Sequence, residues 1–259
     1  MSTDISTRLI KELRDATGIS VMQCKNALQE TDGDIKKALV ILKKRSSDIA
    51  LKKADRVAKD GRVSIKRGDK KYILIALHSE TDFVSKNEDF VNLLSALENK
   101  AAEEGIEKMK EGAKEMIDPV IQKTGEKIEL GAIYEVKGDI LGSYVHNNKS
   151  AVIISLSGGD EELAHDIAMH ITAMKPEYIK EEEITDDVKK TINEIFEKEV
   201  VNINKPENIK KKILDGKITT YFKERTLLDQ PFIKDSNETI RELLNKNKAE
   251  IKEVKRYSI

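Results

Sequence analysis

His165 and His170 stand five positions apart, and on a helix that spacing places two side chains on different faces, so they do not form the His-Glu-x-x-His pair that would hold zinc. No G-x-S-x-G turn presents a serine nucleophile. Neither G-x-x-x-x-G-K-[ST] nor G-x-G-x-x-G occurs, so the usual phosphate cradles are absent. The single cysteine, Cys24, excludes a disulfide framework and a four-thiolate zinc site, suits a reducing compartment, and reads as a small core residue. These residues predict a protein that is not an enzyme, uses no cofactor or metal, and binds no nucleotide directly. A different feature calls for explanation. The run SETDFVSKNE, Ser79 to Glu88, sets Phe83 and Val84 among polar residues in a chain with only 5 Phe and no Trp. A phenylalanine in a polar connection either folds back on its own core, here Leu93 or Leu94, or is held for something else to cover.

The 46 Lys+Arg against 47 Asp+Glu give a formal charge of −1, too balanced for the field of a dedicated nucleic-acid binder, so a protein partner is the simpler expectation. The N-terminus has neither signal-peptide nor transit-peptide character, and no apolar run approaches the roughly 18 residues that a membrane span needs. A cytoplasmic protein is expected, with no membrane and no specific nucleic acid among its partners.

Apolar periodicity supplies the elements. Ile5, Leu9, Ile10 and Leu13 line a first helix closed by Gly18. Ser20 opens a second with the stripe Val21, Cys24, Ala27 and Leu28, and Asp34 caps a third carrying Ile35, Ala38, Leu39 and Leu42. The charged segment from Lys43 to Asp60 reads as a helical linker. A hairpin follows, Val63 and Ile65 before a Gly68-Asp69 turn and Tyr72 to Leu77 after it, then SETDFVSKNE and a helix with Phe90, Leu93, Leu94, Leu97 and Ala101 inward. A further helical segment is expected to be interrupted by Pro119. Ile128–Val136, Ile140–Val145 and Ala151–Leu156 read as a second cluster of strands, followed by a helix opened by Asp160 with Leu163, Ala164, Ile167, Ala168 and Ile171 buried. Strand and helix thus recur in both halves. The connection from Leu77 to Phe90 is about six residues longer than that from Leu156 to Leu163, and SETDFVSKNE is the excess. Between Asp186 and Glu224 two charged helical stretches read as an antiparallel hairpin; Ser236 is expected to cap a helix around Ile240, Leu243 and Leu244, ahead of a basic tail.

Several stretches in order resemble bacterial translation elongation factor Ts, the guanine-nucleotide exchange factor of the GTPase elongation factor Tu. They are Leu13-Arg14-Asp15-Ala16-Thr17-Gly18 with Met22-Gln23-Cys24-Lys25-Asn26-Ala27-Leu28; Thr81-Asp82-Phe83-Val84; Gly142-Ser143-Tyr144-Val145-His146 with Ala168-Met169-His170-Ile171-Thr172-Ala173-Met174-Lys175-Pro176; and Gln230-Pro231-Phe232. The resemblance implies an α+β fold: an N-terminal three-helix ubiquitin-associated-like domain, a core of two related α+β subdomains with small antiparallel sheets, and a projecting antiparallel helical hairpin. The expected layout is 1–45 for the helical domain, 46–60 for the linker, 61–139 for the first subdomain with the TDFV loop, and 140–259 for the second, with the hairpin at about 184–226. The family often ends in a further short module, which this sequence is expected to lack or shorten.

What the resemblance implies for function is exchange without covalent chemistry. Thr81, Asp82, Phe83 and Val84 would enter elongation factor Tu beside its magnesium, Gly125 would approach its phosphate-binding loop, and Arg14 and Met22 would dock on its nucleotide-binding domain. His146, and the neighbourhood of His170 and Met174, would face a more distant domain. On the residues alone, His170 fits a core histidine as well as a contact, and His146 fits a turn as well as an interface. A homodimer or two-to-two complex stays open. The alternative function is a ribosome- or RNA-associated adaptor without exchange activity, whose Lys-rich helices would bind phosphate backbones.

Overall fold

The computed structural model describes residues 5–259. Three helices come first: α1 (Thr7–Thr17), α2 (Val21–Glu30) and α3 (Ile35–Lys52). Ser6, Ser20 and Asp34 each accept the third backbone N–H beyond them, and Gly18 closes α1 at φ 65°, a left-handed turn that a glycine adopts without Cβ strain. Leu13, Ile19, Cys24, Ala27, Leu28, Ala38 and Leu42 form their core, with Cys24 fully buried as expected. Val21 does not belong to that stripe; it lies in the first turn of α2 and is 49% exposed, and Leu39 is likewise on the outer side of α3. The segment from Lys43, expected as a helical linker, is helical as far as Lys52, as a direct continuation of the third helix, where Ser46 and Ser47 find partners on a later helix: the Ser46 hydroxyl meets the Gln122 side chain, and Ser47 donates to Asp118 at 2.7 Å.

Strands β1 (Asp60–Arg67) and β2 (Lys71–Ser79) pair antiparallel from Asp60 opposite Ser79 to Arg67 opposite Tyr72. The one-turn helix α4 (Asp82–Ser85), then α5 (Glu88–Glu104) and α6 (Ile106–Thr124), lead to β3 (Ile128–Lys137). Pro119 does not break α6. The carbonyl it deprives of a partner belongs to Glu115, at an exposed position where solvent can replace the lost bond. Nor does β3 join a second cluster: it is the third strand of the first sheet, in the order β1-β2-β3. Ile73, Ile75 and Leu77 of β2 pack there on Phe90, Leu93, Leu94 and Leu97 of α5 and on Met109, Ile117 and Ile121 of α6.

The second sheet, ordered β4-β5-β8, comprises β4 (Ile140–His146), β5 (Ser150–Ser157) and β8 (Glu250–Ser258). Its last strand is the segment expected to be a basic tail; the dense Lys and Glu hide Ile251 and Val254, which pack on the core. That core combines Val152, Ile154 and Leu156 with Leu163, Ala164, Ile167 and Ile171 of α7 (Glu161–Met174). Helices α8 (Asp186–Val201) and α9 (Glu207–Arg225) form the hairpin, joined by the Lys217 to Glu199 ion pair at 2.7 Å. A short pair, β6 (Pro231–Phe232) with β7 (Asp235–Thr239), precedes α10 (Ile240–Lys246). Thr239, not Ser236, caps α10. Its hydroxyl accepts from Glu242 N–H while Glu242 reaches back, a reciprocal pair that leaves Ser236 within the strand.

Two compact units result. The first comprises the chain up to Glu135 with Val145–Ala151 and Tyr257–Ile259; the second comprises Val136–Tyr144 and Val152–Arg256. Val145–Ala151 group with the first unit because the turn after β4 bonds to β1: Val63 N–H donates to the Asn148 carbonyl at 2.8 Å, and Lys149 donates to Asp60 at 2.6 Å. Within the second unit β4 touches the backbone of α7, since a Cβ on Gly142 would lie 2.1 Å from the Ala164 carbonyl carbon. Gly142→Ala should therefore destabilise the protein by about 1–3 kcal/mol, the usual cost of forcing an atom into a packed interior. Urea unfolding followed by circular dichroism measures it, and an unchanged midpoint would contradict the close approach.

Candidate functional site

Helix α4 is a single turn, far too short to persist by itself, so its surroundings must hold it. Successive helical residues point about 100° apart, and here this separates two apolar neighbours. Val84 turns inward onto the core beside Phe90, and Ser85 is buried behind it. Phe83 turns outward and is 82% exposed. It does not fold back on Leu93 or Leu94. The expected contact run TDFV is thus divided, and Val84 is corrected to an anchor.

Three carboxylates brace the turn. Glu126 receives both the N–H and the hydroxyl of Thr81, at 2.9 and 2.6 Å, one on each oxygen. Glu80 receives the Lys127 N–H at 2.6 Å and Arg56 at 3.2 Å. The Lys127 N–H, helped by the Arg56 charge and opposed by partial desolvation, holds the Glu80 carboxyl below the usual carboxylate range. Asp60 receives the Ser85 hydroxyl at 2.6 Å and Lys149 at 2.6 Å. Desolvation works to raise the Asp60 carboxyl, but Lys149, Ser85 and the Gly61 N–H together lower it, so it stays ionised and keeps its grip. Asp82 pairs with Lys86 at 2.7 Å on the exposed side, and that bond raises the Lys86 ammonium. Sequence reasoning singled out none of Asp60, Glu80 or Glu126 as a support. The only trace was their position flanking or facing a connection that carries a phenylalanine.

Gly125 ends α6 in a left-handed conformation, φ 74°, with open space where a Cβ would stand; Lys53 donates to its carbonyl. Arg14 is exposed on α1, and Met22 is 64% exposed in the first turn of α2. The Lys123 side chain, which pairs with Asp89 at 2.9 Å, lies against Gly18. His146 is exposed at the end of β4, its Nε2 3.2 Å from the Asn147 amide, ahead of a turn in which Asn147 and Asn148 take φ of 50° and 55°. In the second unit Met174 is 45% exposed at the end of α7.

His170 is a correction. Its side chain is fully buried and offers no surface to a partner. The Ile233 N–H donates to its Nδ1 at 3.2 Å, which leaves Nε2 to carry the hydrogen and donate to Gln230 at 2.9 Å. His165 lies elsewhere on the helix, 2.9 Å from the Ser143 carbonyl. Among the described residues no group of three or more His, Cys, Asp or Glu could hold a metal ion, and no helix is long and apolar enough to cross a membrane. What the first unit offers is an exposed ring on a turn tied down at both ends, suited to recognition by burial.

The family model described as Elongation factor TS matches residues 80–259, and that described as UBA-like domain matches residues 6–42. Elongation factor Ts of Hahella chejuensis is 38% identical over 98% of this chain and 92% of its own length. That of Alcanivorax borkumensis is 37% identical over 97% and 93%, and that of Nitrosomonas eutropha 37% over 99% and 92%.

Burial lowers the His170 pKa from its ordinary 6.5, against the opposing pull of the Gln230 hydrogen bond. The folded chain therefore binds fewer protons than the unfolded one just below that value. The contribution is fully present above about pH 6.5 and falls away as pH drops. Urea unfolding at pH 7.5 and 5.5 should show His170→Gln losing less stability over that interval than the intact protein; equal losses would mean that the buried ring does not resist protonation.

Proposed function

The chain belongs to the elongation factor Ts family, a family of translation elongation factors, and from that premise we propose that it binds elongation factor Tu, disturbs its magnesium and phosphate site, and promotes release of GDP so that GTP can bind. The observation that carries this reading is Phe83, an 82% exposed ring on a braced turn. In the complex the ring lodges beside the partner's magnesium and displaces side chains that support it. The cation loses its coordination, and the diphosphate loses the charge that neutralised it. Asp82 flanks the ring and Thr81 sets its entry, while Gly125, free of a side chain, lets backbone approach the partner's phosphate-binding loop. No reactive group is needed. A factor that binds the nucleotide-free GTPase more tightly than the loaded one must, by reciprocity, weaken nucleotide binding.

Magnitudes set the division of labour. A thousandfold faster release needs about 4 kcal/mol of differential stabilisation, and burying one phenylalanine contributes roughly 1.5–3 kcal/mol. Phe83 supplies a large part but not all of it. The exposed Arg14, Met22, His146 and Met174 supply attachment, each set on a folded element rather than on a free loop.

Release of a fluorescent GDP from purified elongation factor Tu should accelerate when this protein is added. Phe83→Ala should slow the stimulated release roughly ten- to hundredfold, as the burial energy implies, while leaving the unfolding midpoint unchanged. Absence of any acceleration by the intact protein would overturn the function. Full activity of Phe83→Ala would overturn only the role of the ring.

A further inference from the structure

The N-cap of α4 is incomplete in an informative way. Thr81 is a residue type that commonly caps a helix with its hydroxyl, yet it makes no such bond. Its hydroxyl and its own N–H both point away, onto the two oxygens of Glu126, at 2.6 and 2.9 Å. Glu126 comes from a different part of the chain, the junction between α6 and β3, and follows Gly125 directly. The Ser79 hydroxyl completes the arrangement by donating to the Thr81 carbonyl at 2.9 Å. Both hydrogen-bonding groups of the Thr81 backbone and its side chain are therefore engaged immediately before the helix that carries the exposed ring.

From this geometry, and resting on the exchange function proposed above, we infer that Glu126 is a positioning residue that fixes Phe83 and Gly125 relative to one another, so that the ring and the side-chain-free backbone reach the metal side and the phosphate side of the partner as one rigid piece. A carboxylate accepting two donors from one residue restrains both the position and the rotation of that residue, and charge-assisted bonds of this kind are about twice as strong as neutral ones. Thr81 lies two residues before Phe83, and Glu126 one residue after Gly125, so little slack separates the clamp from either contact. Lys53 holds the Gly125 carbonyl, and the Ser85 to Asp60 bond holds the far end of α4. Without the clamp, Val84 and Ser85 still anchor the turn in the core, but the direction of the ring is no longer set from the Thr81 side.

Glu126→Gln keeps the size of the side chain but removes its charge and leaves a single oxygen, so the N–H and the hydroxyl of Thr81 no longer each donate to a carboxylate oxygen. The variant should unfold at nearly the same urea concentration as the intact protein. Its maximal rate of stimulated GDP release should fall roughly tenfold, within the range that a displacement of about 1 Å costs, with little change in the concentration giving half-maximal release. Thr81→Val, which removes the hydroxyl from the other side, should reduce the maximum by a smaller factor. The double variant should be no slower than Glu126→Gln alone. Hydrogen exchange read by NMR should show the Thr81 amide protected in the intact protein and exchanging faster in Glu126→Gln, where a neutral oxygen replaces the carboxylate. Unchanged maximal release in Glu126→Gln, fully additive effects of the two substitutions, or an unprotected Thr81 amide in the intact protein would each overturn the positioning role while the exchange function stands. If the intact protein does not stimulate release at all, the function falls and takes this inference with it; the Thr81 amide then reports only whether the clamp forms.

Discussion

Water opposes everything that the Phe83 ring does. An apolar ring held outside a fold gains nothing from its own protein, and a one-turn helix lacks the hydrogen bonds to stay ordered by itself. The molecule meets this cost with carboxylates that grip the backbone and the short polar side chains around the ring. Asp60 holds Ser85, Glu126 holds Thr81, and Glu80 holds the Lys127 backbone next door. Immediately beneath, Val84 and Phe90 seal the turn to the core. Exposure of one apolar side chain is thus secured by burial of the next one and by polar bonds on both sides.

The same economy explains why the two halves of the core differ. In the second half Gly158, Gly159 and Asp160 take the chain from β5 into α7 with nothing to spare, and Asp160 caps the helix directly. In the first half Glu80–Asn87 intervene between β2 and α5, and Asn87 does the capping. The extra residues are not slack. They are hydrogen-bonded to β1, to the junction after α6, and through Asp60 to the turn that follows β4, where His146 is exposed. Connections longer than a fold requires are where recognition is commonly placed, and here the added length is rigid rather than loose.

Histidine, the residue most readily assigned a chemical role from sequence, shows how environment decides. His170 and His146 both sit in stretches that resemble the same family. One is enclosed by Gln230 and the Ile233 N–H and is kept neutral by its burial; the other ends a strand in the open. Their types and neighbours in sequence do not separate them, because burial is set by which distant segment returns to cover a helix face. The segment Gln230–Ile233 does so for His170.

Local physics alone determined much of this protein. Period-3.6 stripes located α1, α2, α5 and α7, Gly68-Asp69 located the first hairpin, and a phenylalanine in a polar connection marked the turn that exposes its ring, since these signals act over a few residues. Pairings between distant segments were decided only by tertiary structure. That β3 joins the first sheet, that β8 is a strand rather than a tail, that α6 continues past Pro119, and that Val84 faces inward while Phe83 faces outward all depend on partners far away in sequence. A hydrogen-bond acceptor such as Glu126 becomes a brace only when the fold carries it to Thr81, and no spacing along the chain encodes that meeting.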